Sequence, residues 1–160
     1  MNTNTTTTVH DLFYLINCAV PRAHVNTSLE TIAERLCSSS HNKVYLEDDD
    51  GKLQGLIQAR DVALKILQYS HAESSFEDCV PLMVFQLNSM KSTELAIQAP
   101  VVQQYDTLKT ALEVMGDRNV REIAVVDEEG RLIGALEGKT ILAYYLNKKS
   151  QAMGQQGCTS

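Results

Sequence analysis

The sequence predicts a mixed α/β (α+β) fold made of two copies of one unit, each with the order β-α-β-β-α. Residues 27–67 and 106–146 align without a gap at a constant offset of 79 positions, with eight identical pairs among 41. Conservative pairs such as Val44 and Ile123 extend the match. Because each unit has one apolar sheet face to bury, we expect the copies to pack through their sheets, with a functional site where they meet.

A polar cap and an amphipathic stripe predict the first helix of each copy. Residues 27–28 and 106–107 supply Ser, Thr or Asp caps. The stripes are Leu29, Ile32, Ala33 and Leu36 in the first copy, and Leu108, Ala111, Leu112 and Met115 in the second. The spacing i, i+3, i+4, i+7 is typical of a helix that buries one face.

A β-hairpin is predicted after each of these helices. Its strands are Lys43–Glu47 and Leu53–Gln58 in the first copy, and Glu122–Val126 and Leu132–Glu137 in the second. The turns end in Gly51 and Gly130, since glycine readily adopts the positive φ that such a turn requires. Each returning strand carries a central glycine, Gly55 or Gly134, where a backbone or a ligand could approach closely. The acidic turn at 48–50 lacks the other ligands of an EF-hand calcium loop, so we interpret it as a solvated hairpin tip.

Closing helices and accessory segments complete the predicted organisation. The closing helices span 60–69 and 139–147, and their apolar residues are expected to face inward, including Leu67, Leu142, Tyr145 and Leu146. Short extended segments at 24–26 and 101–103 could add a third strand to each copy. The predicted domains are a disordered tail (1–8), a first repeat with a lead-in helix (9–70), an apolar connector (71–99), a second repeat (100–147) and a second disordered tail (148–160).

Composition and charge exclude several classes of protein. The net charge is −6 and the basic residues are scattered, which argues against non-specific nucleic-acid binding. No apolar run approaches the roughly 20 residues that span a bilayer, and residues 1–8 lack the regions of a secretory signal. Four widely spaced cysteines without a C-x-x-C pair favour a reducing cytoplasm. The cysteines and histidines lack zinc-ligand spacing, so we predict no metal and no resident cofactor.

No catalytic constellation can be assembled from the spacing of the residues. Ser/His/Asp, paired-carboxylate and P-loop patterns do not occur. Cys37 and His41 lie four positions apart near the end of one helix, but a core cysteine beside an exposed histidine explains that pair more simply. We therefore predict that the protein is not an enzyme.

The hairpin and the start of the closing helix carry one local pattern twice: an apolar strand, an acidic turn ending in Gly, and a glycine-containing strand that leads into a helix. The first copy completes it with Leu53-Gln-Gly-Leu-Ile-Gln-Ala-Arg-Asp61, and the second with Leu132-Ile-Gly-Ala-Leu-Glu-Gly-Lys-Thr140. Over residues 9–147 the sequence resembles a tandem pair of CBS domains, the regulatory module named after cystathionine β-synthase. The resemblance implies pseudo-twofold symmetry and two clefts between the copies. In this family such clefts typically hold AMP, ADP, ATP or S-adenosylmethionine.

The resemblance also implies six ligand-binding residues: Gln58, Arg60 and Asp61 in the first copy, and Glu137, Lys139 and Thr140 in the second. The family's motif Asp accepts hydrogen bonds from both ribose hydroxyls, and its Thr or Ser helps to hold a phosphate at the start of the helix. The first copy keeps the acidic residue, with Gln in place of the hydroxyl. The second has Thr in place of the Asp, and a Glu that would repel a phosphate. The cleft around Asp61 is therefore the better candidate, and Arg60 and Lys139 are cations that could reach a phosphate.

Two functions stay open at this stage. The first is a stand-alone regulatory protein that binds an adenosine-containing ligand near Asp61 and signals in trans to an unknown effector protein. The second is a ligand-free interaction module that acts through homodimerisation, since CBS pairs commonly associate into dimers and an isologous dimer is the commonest symmetric assembly. Asp61 would then only complement the dipole of its helix, and Gln58 and Glu137 would have structural roles. Under both interpretations we expect a cytoplasmic homodimer that has no nucleic-acid or membrane partner.

Overall fold

The structure is a computed structural model that describes residues 6–68, 85 and 87–156. The chain divides into two compact units. One unit consists of Val20–Ala99 and contains the first copy of the repeat. The other combines Pro100–Ser160 with Met1–Ala19 and contains the second copy. The second unit is therefore assembled from both ends of the sequence.

The first copy forms a three-stranded sheet with two helices. Its elements are β1 (Arg22–His24), α1 (Leu29–Ser38), β2 (Lys43–Glu47), β3 (Leu53–Gln58) and α2 (Ala59–Gln68). Strand β2 is central and pairs in parallel with β1 and antiparallel with β3. The third strand predicted by the sequence is present, although β1 begins two residues earlier than expected.

The second copy has the same elements in the same order: β4 (Val101–Gln103), α3 (Leu108–Arg118), β5 (Glu122–Val126), β6 (Leu132–Glu137) and α4 (Gly138–Gln156). Strand β5 is central, as β2 is in the first copy. A register irregularity also repeats, after Leu46 in one hairpin and after Val125 in the other. The predicted mixed fold of two β-α-β-β-α repeats is confirmed.

Local chemistry explains where these elements begin and turn. Ser28 Oγ accepts a hydrogen bond from Thr31 N at 3.3 Å, and Thr107 Oγ1 accepts one from Thr110 N at 3.1 Å, so both first helices have side-chain N-caps. The hairpin turns end in glycines at positive φ, 77° for Gly51 and 82° for Gly130. A side chain would strain that conformation, which is why the turn needs glycine.

Each copy buries the helix-facing side of its hairpin in its own core. Val44, Leu46 and Ile57 form this side in the first copy, and their counterparts in the second are Ile123, Val125 and Leu136; all six are fully buried. The first helices contribute predicted stripe residues to these cores, Leu29 and Ile32 in the first copy and Ala111 and Met115 in the second. The prediction is wrong for Leu112, which is 49% exposed. Alternation along the strands thus determines which residues meet the helices.

The segment before the first copy packs with the second copy. This N-terminal strap, residues 7–17, includes a 3-10 helix over Val9–Leu15. Its backbone joins the second copy at both ends, through Leu108 N to Thr7 O (3.1 Å) and Ala135 N to Asn17 O (3.0 Å). Its apolar residues Val9, Leu12 and Ile16 belong to the core of the second copy. The sequence analysis grouped the lead-in helix with the repeat that follows it, whereas the contacts place it with the other one.

The segment before the second copy packs, in the same way, with the first copy. In this central strap, residues 91–98, Ile97 exchanges two backbone hydrogen bonds with Leu56, at 2.9 and 3.0 Å. Ser92 is fully buried and donates to the Val25 carbonyl at 2.8 Å. Leu56 and Ala135 are equivalent positions of the repeat, so each strap pairs with the same place on the opposite copy.

The central glycines of β3 and β6 are explained by the straps. A Cβ atom on Gly55 would lie 2.8 Å from the carbonyl oxygen of Ile97, and one on Gly134 would lie 2.6 Å from that of Asn17. Of the two close approaches left open by the sequence, a backbone or a ligand, the structure shows a backbone at both glycines. The repeated glycine therefore serves the scaffold.

The chain ends differ from the predicted disordered tails. Helix α4 continues to Gln156, nine residues past its expected end, because Lys, Gln, Ala and Met in this stretch favour helix. At the other end, Thr8 forms a β-bridge with Thr107. Residues 1–5 and 157–160 lie outside the described residues. Despite the length of α4, no helix in the described part of the chain is both long and apolar enough to cross a membrane.

The inward orientation predicted for several apolar residues of the closing helices is wrong. Leu67 on α2 is 64% exposed, and Leu142, Tyr145 and Leu146 on α4 are 59–63% exposed. Successive helical residues point about 100° apart, and only the side of α4 that carries Ile141 and Tyr144 contacts the core. The apolar surface of these helices is thus wider than one buried face.

Only part of the predicted connector can be compared with the structure. Residues 71–84 and 86 lie outside the described residues. In the remainder, Leu87 and Met90 are buried in the core of the first copy, while Phe85 is exposed. In the described part of the connector, Leu87 and Met90 are therefore packed and Phe85 is not.

Candidate functional site at the start of the closing helices

The three candidate residues of the first copy gather where β3 runs directly into α2. The junction is held by a hydrogen bond from Ala59 N to the Asn42 carbonyl at 2.9 Å. Arg60 lies between the other two side chains. Its Nη2 is 3.4 Å from Gln58 Oε1, and its Nε is 3.7 Å from Asp61 Oδ1. The three candidate side chains are therefore neighbours in the structure.

Asp61 is the carboxylate of the first turn of α2, and its side chain is 24% exposed. It lines a cavity of about 350 Å³ together with Leu64, Lys65 and Gln68 of α2 and with Glu94, Leu95, Ala96 and Ile97. The latter four residues belong to the central strap. The cavity therefore combines an acceptor carboxylate with an apolar wall, a combination suited to a ligand that carries both hydroxyl groups and a flat apolar ring.

The three candidate residues of the second copy occupy the equivalent junction between β6 and α4. Gly138 N donates to the Arg121 carbonyl at 3.2 Å, as Ala59 N donates to Asn42 in the first copy. Lys139 Nζ lies 3.1 Å from Glu137 Oε2, so its charge is already paired with that carboxylate. Thr140 is half-buried in the first helical turn. This junction offers a hydroxyl where the first offers a carboxylate.

The acidic hairpin tips serve the turns themselves. Asp48 Oδ1 accepts hydrogen bonds from the backbone of Lys52 and Asp50, at 2.9 Å each, and Gln54 donates to its Oδ2 at 2.8 Å. These hydrogen bonds lower the pKa of Asp48 below its ordinary value, and the bond from the Lys52 backbone has the largest effect. Asp127 organises the second turn in the same way. Among the described residues, no three His, Cys, Asp or Glu side chains lie together as a metal site would require.

Sequence reasoning missed the central strap as part of the site. Residues 94–97 line the Asp61 cavity although they lie more than 30 positions away in the sequence. The available signal was Gly55, because a glycine inside a strand marks a close approach by another segment. The identity of that segment could not be deduced, since the bridge between Leu56 and Ile97 is a long-range backbone contact.

Comparison with known proteins agrees with this architecture. The family model of the CBS domain matches residues 93–147. A CBS domain-containing protein of Dictyostelium discoideum is 28% identical over 122 residues, which are 74% of this chain and 79% of that protein. The crystal structure of a CBS domain-containing protein of Bacillus anthracis is 27% identical, with a TM-score of 0.66, over 89% of this chain and 94% of the other.

Two further similar structures were solved with adenosine compounds. CBSX2, a CBS-pair protein of Arabidopsis thaliana, is in complex with AMP; it is 20% identical, with a TM-score of 0.65, over 89% of this chain and 98% of the other. The CBS domain pair of protein MJ0100 is in complex with 5′-methylthioadenosine and S-adenosyl-L-methionine; it is 20% identical, with a TM-score of 0.61, over the same shares of the two chains. At this identity, both matches establish a shared fold.

The fold and the matches together define the class of the protein. Residues 93–147 match the CBS-domain family model, and the chain as a whole has a fold similar to those of CBS domain-containing and CBS-pair proteins. The prediction of a tandem CBS pair is confirmed.

Proposed function

We propose that the protein is a regulatory CBS-pair module that binds an adenosine-containing ligand at Asp61 and signals in trans to an effector protein. The observation that carries the proposal is the position of Asp61, at the start of α2 and on the wall of a partly apolar cavity. The role is regulatory, and we assign no reaction to the site. The spread of the cysteines and the scattered basic residues favour a cytoplasmic protein that does not bind nucleic acid.

The chemistry of Asp61 suits a ribose. A carboxylate has two acceptor oxygens, so it can take a hydrogen bond from each of two neighbouring hydroxyls. The Arg60–Asp61 separation of 3.7 Å is longer than a hydrogen bond, so this ion pair leaves the carboxylate able to accept from a ligand. Leu95, Ala96 and Ile97 of the central strap supply apolar surface for a base. AMP and S-adenosyl-L-methionine, which are bound by similar structures, share adenosine, and this supports the ligand class.

Replacing Asp61 with Asn is expected to weaken ligand binding by about 30-fold, because one charged acceptor is lost and charge-assisted hydrogen bonds contribute roughly 1.5–3 kcal/mol. Isothermal titration calorimetry with AMP, ADP, ATP and S-adenosylmethionine measures the effect. The matched control is Asp117→Asn, which makes the same change at an exposed carboxylate of α3 outside the candidate site and should leave the affinity unchanged. If no compound of this series binds the native protein, or if Asp61→Asn binds as tightly as native, the proposal is wrong.

A second candidate function, assembly into a homodimer, is favoured by the exposed apolar residues of the closing helices. Leu142, Tyr145 and Leu146 lie within about one and a half turns of α4 and are all more than half exposed. On α2, Leu64 and Leu67 also lie about one turn apart and are both more than half exposed. Apolar side chains grouped in this way mark interaction surfaces, and a second copy of the chain is the partner we propose for them.

Light scattering after size exclusion tests the dimer. We expect twice the chain mass of 17.7 kDa at micromolar concentration. Leu146→Glu should shift the mass towards the monomer, because an interface core does not tolerate an unpaired buried charge. Leu112→Glu on α3 is the matched control, since Leu112 is also about half exposed but lies outside this group. A native monomer at these concentrations would exclude the dimer.

A further inference from the structure

Three aromatic rings form a row on the surface of the unit that contains the second copy. His10 and Phe13 lie on the 3-10 helix of the N-terminal strap, and Tyr105 follows β4. The centroid of the His10 ring is 5.1 Å from that of Phe13 and 5.1 Å from that of Tyr105. His10 is exposed and Tyr105 is 54% exposed. The core takes Val9 and Leu12 from the same strap, so it does not account for this row.

Backbone hydrogen bonds fix the row to the neighbouring hairpin. His10 N donates to the Gln104 carbonyl at 2.7 Å, which joins the strap to the residue after β4. Gln104 N donates to the Val126 carbonyl at 3.0 Å, and Val126 is the last residue of β5 before the hairpin turn. The rings and the turn are therefore held in one framework. A surface organised in this way loses little conformational entropy when a partner binds.

The acidic hairpin turn borders the row beside Tyr105. Tyr105 and Gln104 line a cavity of about 340 Å³ together with four charged residues of the turn: Asp127, Glu128, Glu129 and Arg131. Three carboxylates and one guanidinium leave an excess of two negative charges (3 − 1). Arg131 Nη2 lies 2.7 Å from Glu129 Oε2, so this cation is paired with one of the carboxylates. An exposed aromatic ring thus lies beside a net negative charge.

The equivalent turn of the first copy lacks this combination. At the repeat offset of 79, Tyr105 corresponds to Asn26 and Glu128 corresponds to Asp49. Asp49 Oδ1 lies 2.6 Å from His24 Nε2, so the carboxylate equivalent to Glu128 has a partner within its own copy. Both turns are nevertheless built alike, with a glycine at positive φ. The turn therefore forms without an aromatic ring at this position, and Tyr105 is not needed to build it.

A guanidinium group is the chemical complement of this surface. It is planar and stacks on an aromatic face, while its N–H groups donate to a carboxylate. A site that encloses a small molecule would be mostly apolar, whereas this cavity is lined mainly by charged side chains and by a ring that is more than half exposed. Such a surface suits contact with another protein, since Tyr and Arg are among the residues that are enriched at protein interfaces.

We propose that this aromatic–acidic surface, formed by Phe13, His10, Tyr105 and the turn residues 127–129, docks an arginine-bearing segment of a partner protein. One guanidinium of the segment lies on the Tyr105 ring and donates to Glu128. The partner corresponds to the effector of the proposed function, and only this correspondence rests on that function, because the contact itself requires no ligand at Asp61. The excess of negative charge disfavours nucleic acid as the occupant, since phosphates would be repelled.

Fluorescence titration with a short peptide tests the inference. The chain contains no Trp, so the indole of the blocked peptide Trp-Arg-Ala-Arg-Ala-Arg reports binding without an indole signal from the protein. Alternate residues of an extended peptide share a face, which places its guanidinium groups on one side. We expect saturable binding at submillimolar peptide. Binding should be at least about tenfold weaker when neutral citrulline replaces each Arg, because the charge-assisted hydrogen bonds are lost.

Variants of two residues remove the proposed contacts. Tyr105→Ser should weaken binding of the Arg peptide about fivefold, because the ring beneath the guanidinium is lost. Tyr105→Phe keeps the ring and should bind like native protein. Glu128→Lys should weaken binding about tenfold, because an attraction is replaced by a repulsion. Circular dichroism verifies that each variant is folded.

The matched controls make the same changes away from the proposed contacts. Tyr14→Ser removes a ring that is 65% exposed on the same strap. In a helix with about three residues per turn, Tyr14 points roughly 120° away from Phe13. Asp49→Lys places the same charge at the equivalent turn of the first copy. Both controls should bind the Arg peptide as native protein does.

The outcomes separate the inference from the proposed function. Equal affinities for the Arg and citrulline peptides, or equal losses in Glu128→Lys and Asp49→Lys, would overturn the inference. Native protein that binds AMP but not the Arg peptide would overturn it and leave the proposed function standing, and the converse result would do the reverse. If Tyr105→Ser turns a native dimer into a monomer in light scattering, a second copy occupies the surface and the inference is wrong. If Tyr105→Ser does not fold, Glu128→Lys and the citrulline peptide decide.

Discussion

Replacing Gly134 with alanine is expected to lower the free energy of unfolding by about 2–4 kcal/mol, because overpacking a filled site costs about 1–3 kcal/mol and occasionally more. The added Cβ atom would lie 2.6 Å from the Asn17 carbonyl oxygen and 3.0 Å from Ile16 Cγ2. The first obstacle is backbone that pairs with Ala135. It cannot move away as the end of a flexible side chain could, so the N-terminal strap must shift or detach.

Urea denaturation followed by circular dichroism measures this loss. Gly116→Ala is the matched control, because Gly116 is an exposed position of α3 with open space around its Cα. There the same substitution should raise stability by about 0.5–1 kcal/mol, since alanine favours helix. Gly55→Ala should resemble Gly134→Ala, with the Ile97 carbonyl 2.8 Å from the new atom. A Gly134→Ala variant as stable as native protein would show that the strap does not hold this position.

Giving the second copy the missing motif residues is expected to create a second ligand site. In the double variant Glu137→Thr, Thr140→Asp, the carboxylate that repels phosphate becomes a hydroxyl, and an acceptor for both ribose hydroxyls appears in the first turn of α4. The number of AMP molecules bound per chain should rise from about one to about two. A carboxylate in the first turn of a helix is electrostatically favourable, so the variant should remain folded.

The reciprocal exchange is the matched experiment. Transplanting the second copy's residues into the first, as Gln58→Glu with Asp61→Thr, should abolish binding at micromolar AMP. Glu137→Thr alone should not add a site, because it supplies no acceptor for the ribose. Calorimetry gives the stoichiometry, and thermal denaturation verifies that each variant is folded. A stoichiometry that stays near one in the Glu137→Thr, Thr140→Asp variant would show that these two positions do not suffice to define a site.

The strands of the hairpins could be predicted residue by residue, because two copies of the same signal constrain each other. The acidic turns, the glycines at positive φ and the alternating apolar residues each occurred twice at one offset. Leu142 and Leu146 could not be placed correctly, since an apolar helical stripe looks the same whether a core or a partner covers it. The extent of α4 was also underestimated, because the Gln- and Gly-containing stretch after Lys148 has few apolar residues to reveal a helix.

The candidate site was predictable in its local part. Gln58, Arg60 and Asp61, which the family resemblance implied, are close in sequence and lie together where β3 runs into α2. The central strap was not identified, because it reaches the site through backbone pairing with the edge strand β3. Such contacts depend on strand register and on long-range backbone hydrogen bonds, which a single sequence does not specify.

Each strap packs with the copy that does not directly follow it in the sequence. For the N-terminal strap, this determines when it can fold during synthesis. Val20–Ala99 is a continuous stretch, so its unit can close as soon as it leaves the ribosome. Thr8 pairs with Thr107, which lies 99 positions later (107 − 8). At about 5–20 residues per second, the strap must wait roughly 5–20 s for its binding place to be made. During this interval Val9, Leu12 and Ile16 have no core to enter. A circular permutant that joins the ends and opens the chain between Ala19 and Val20 would remove that delay, because both units would then be continuous.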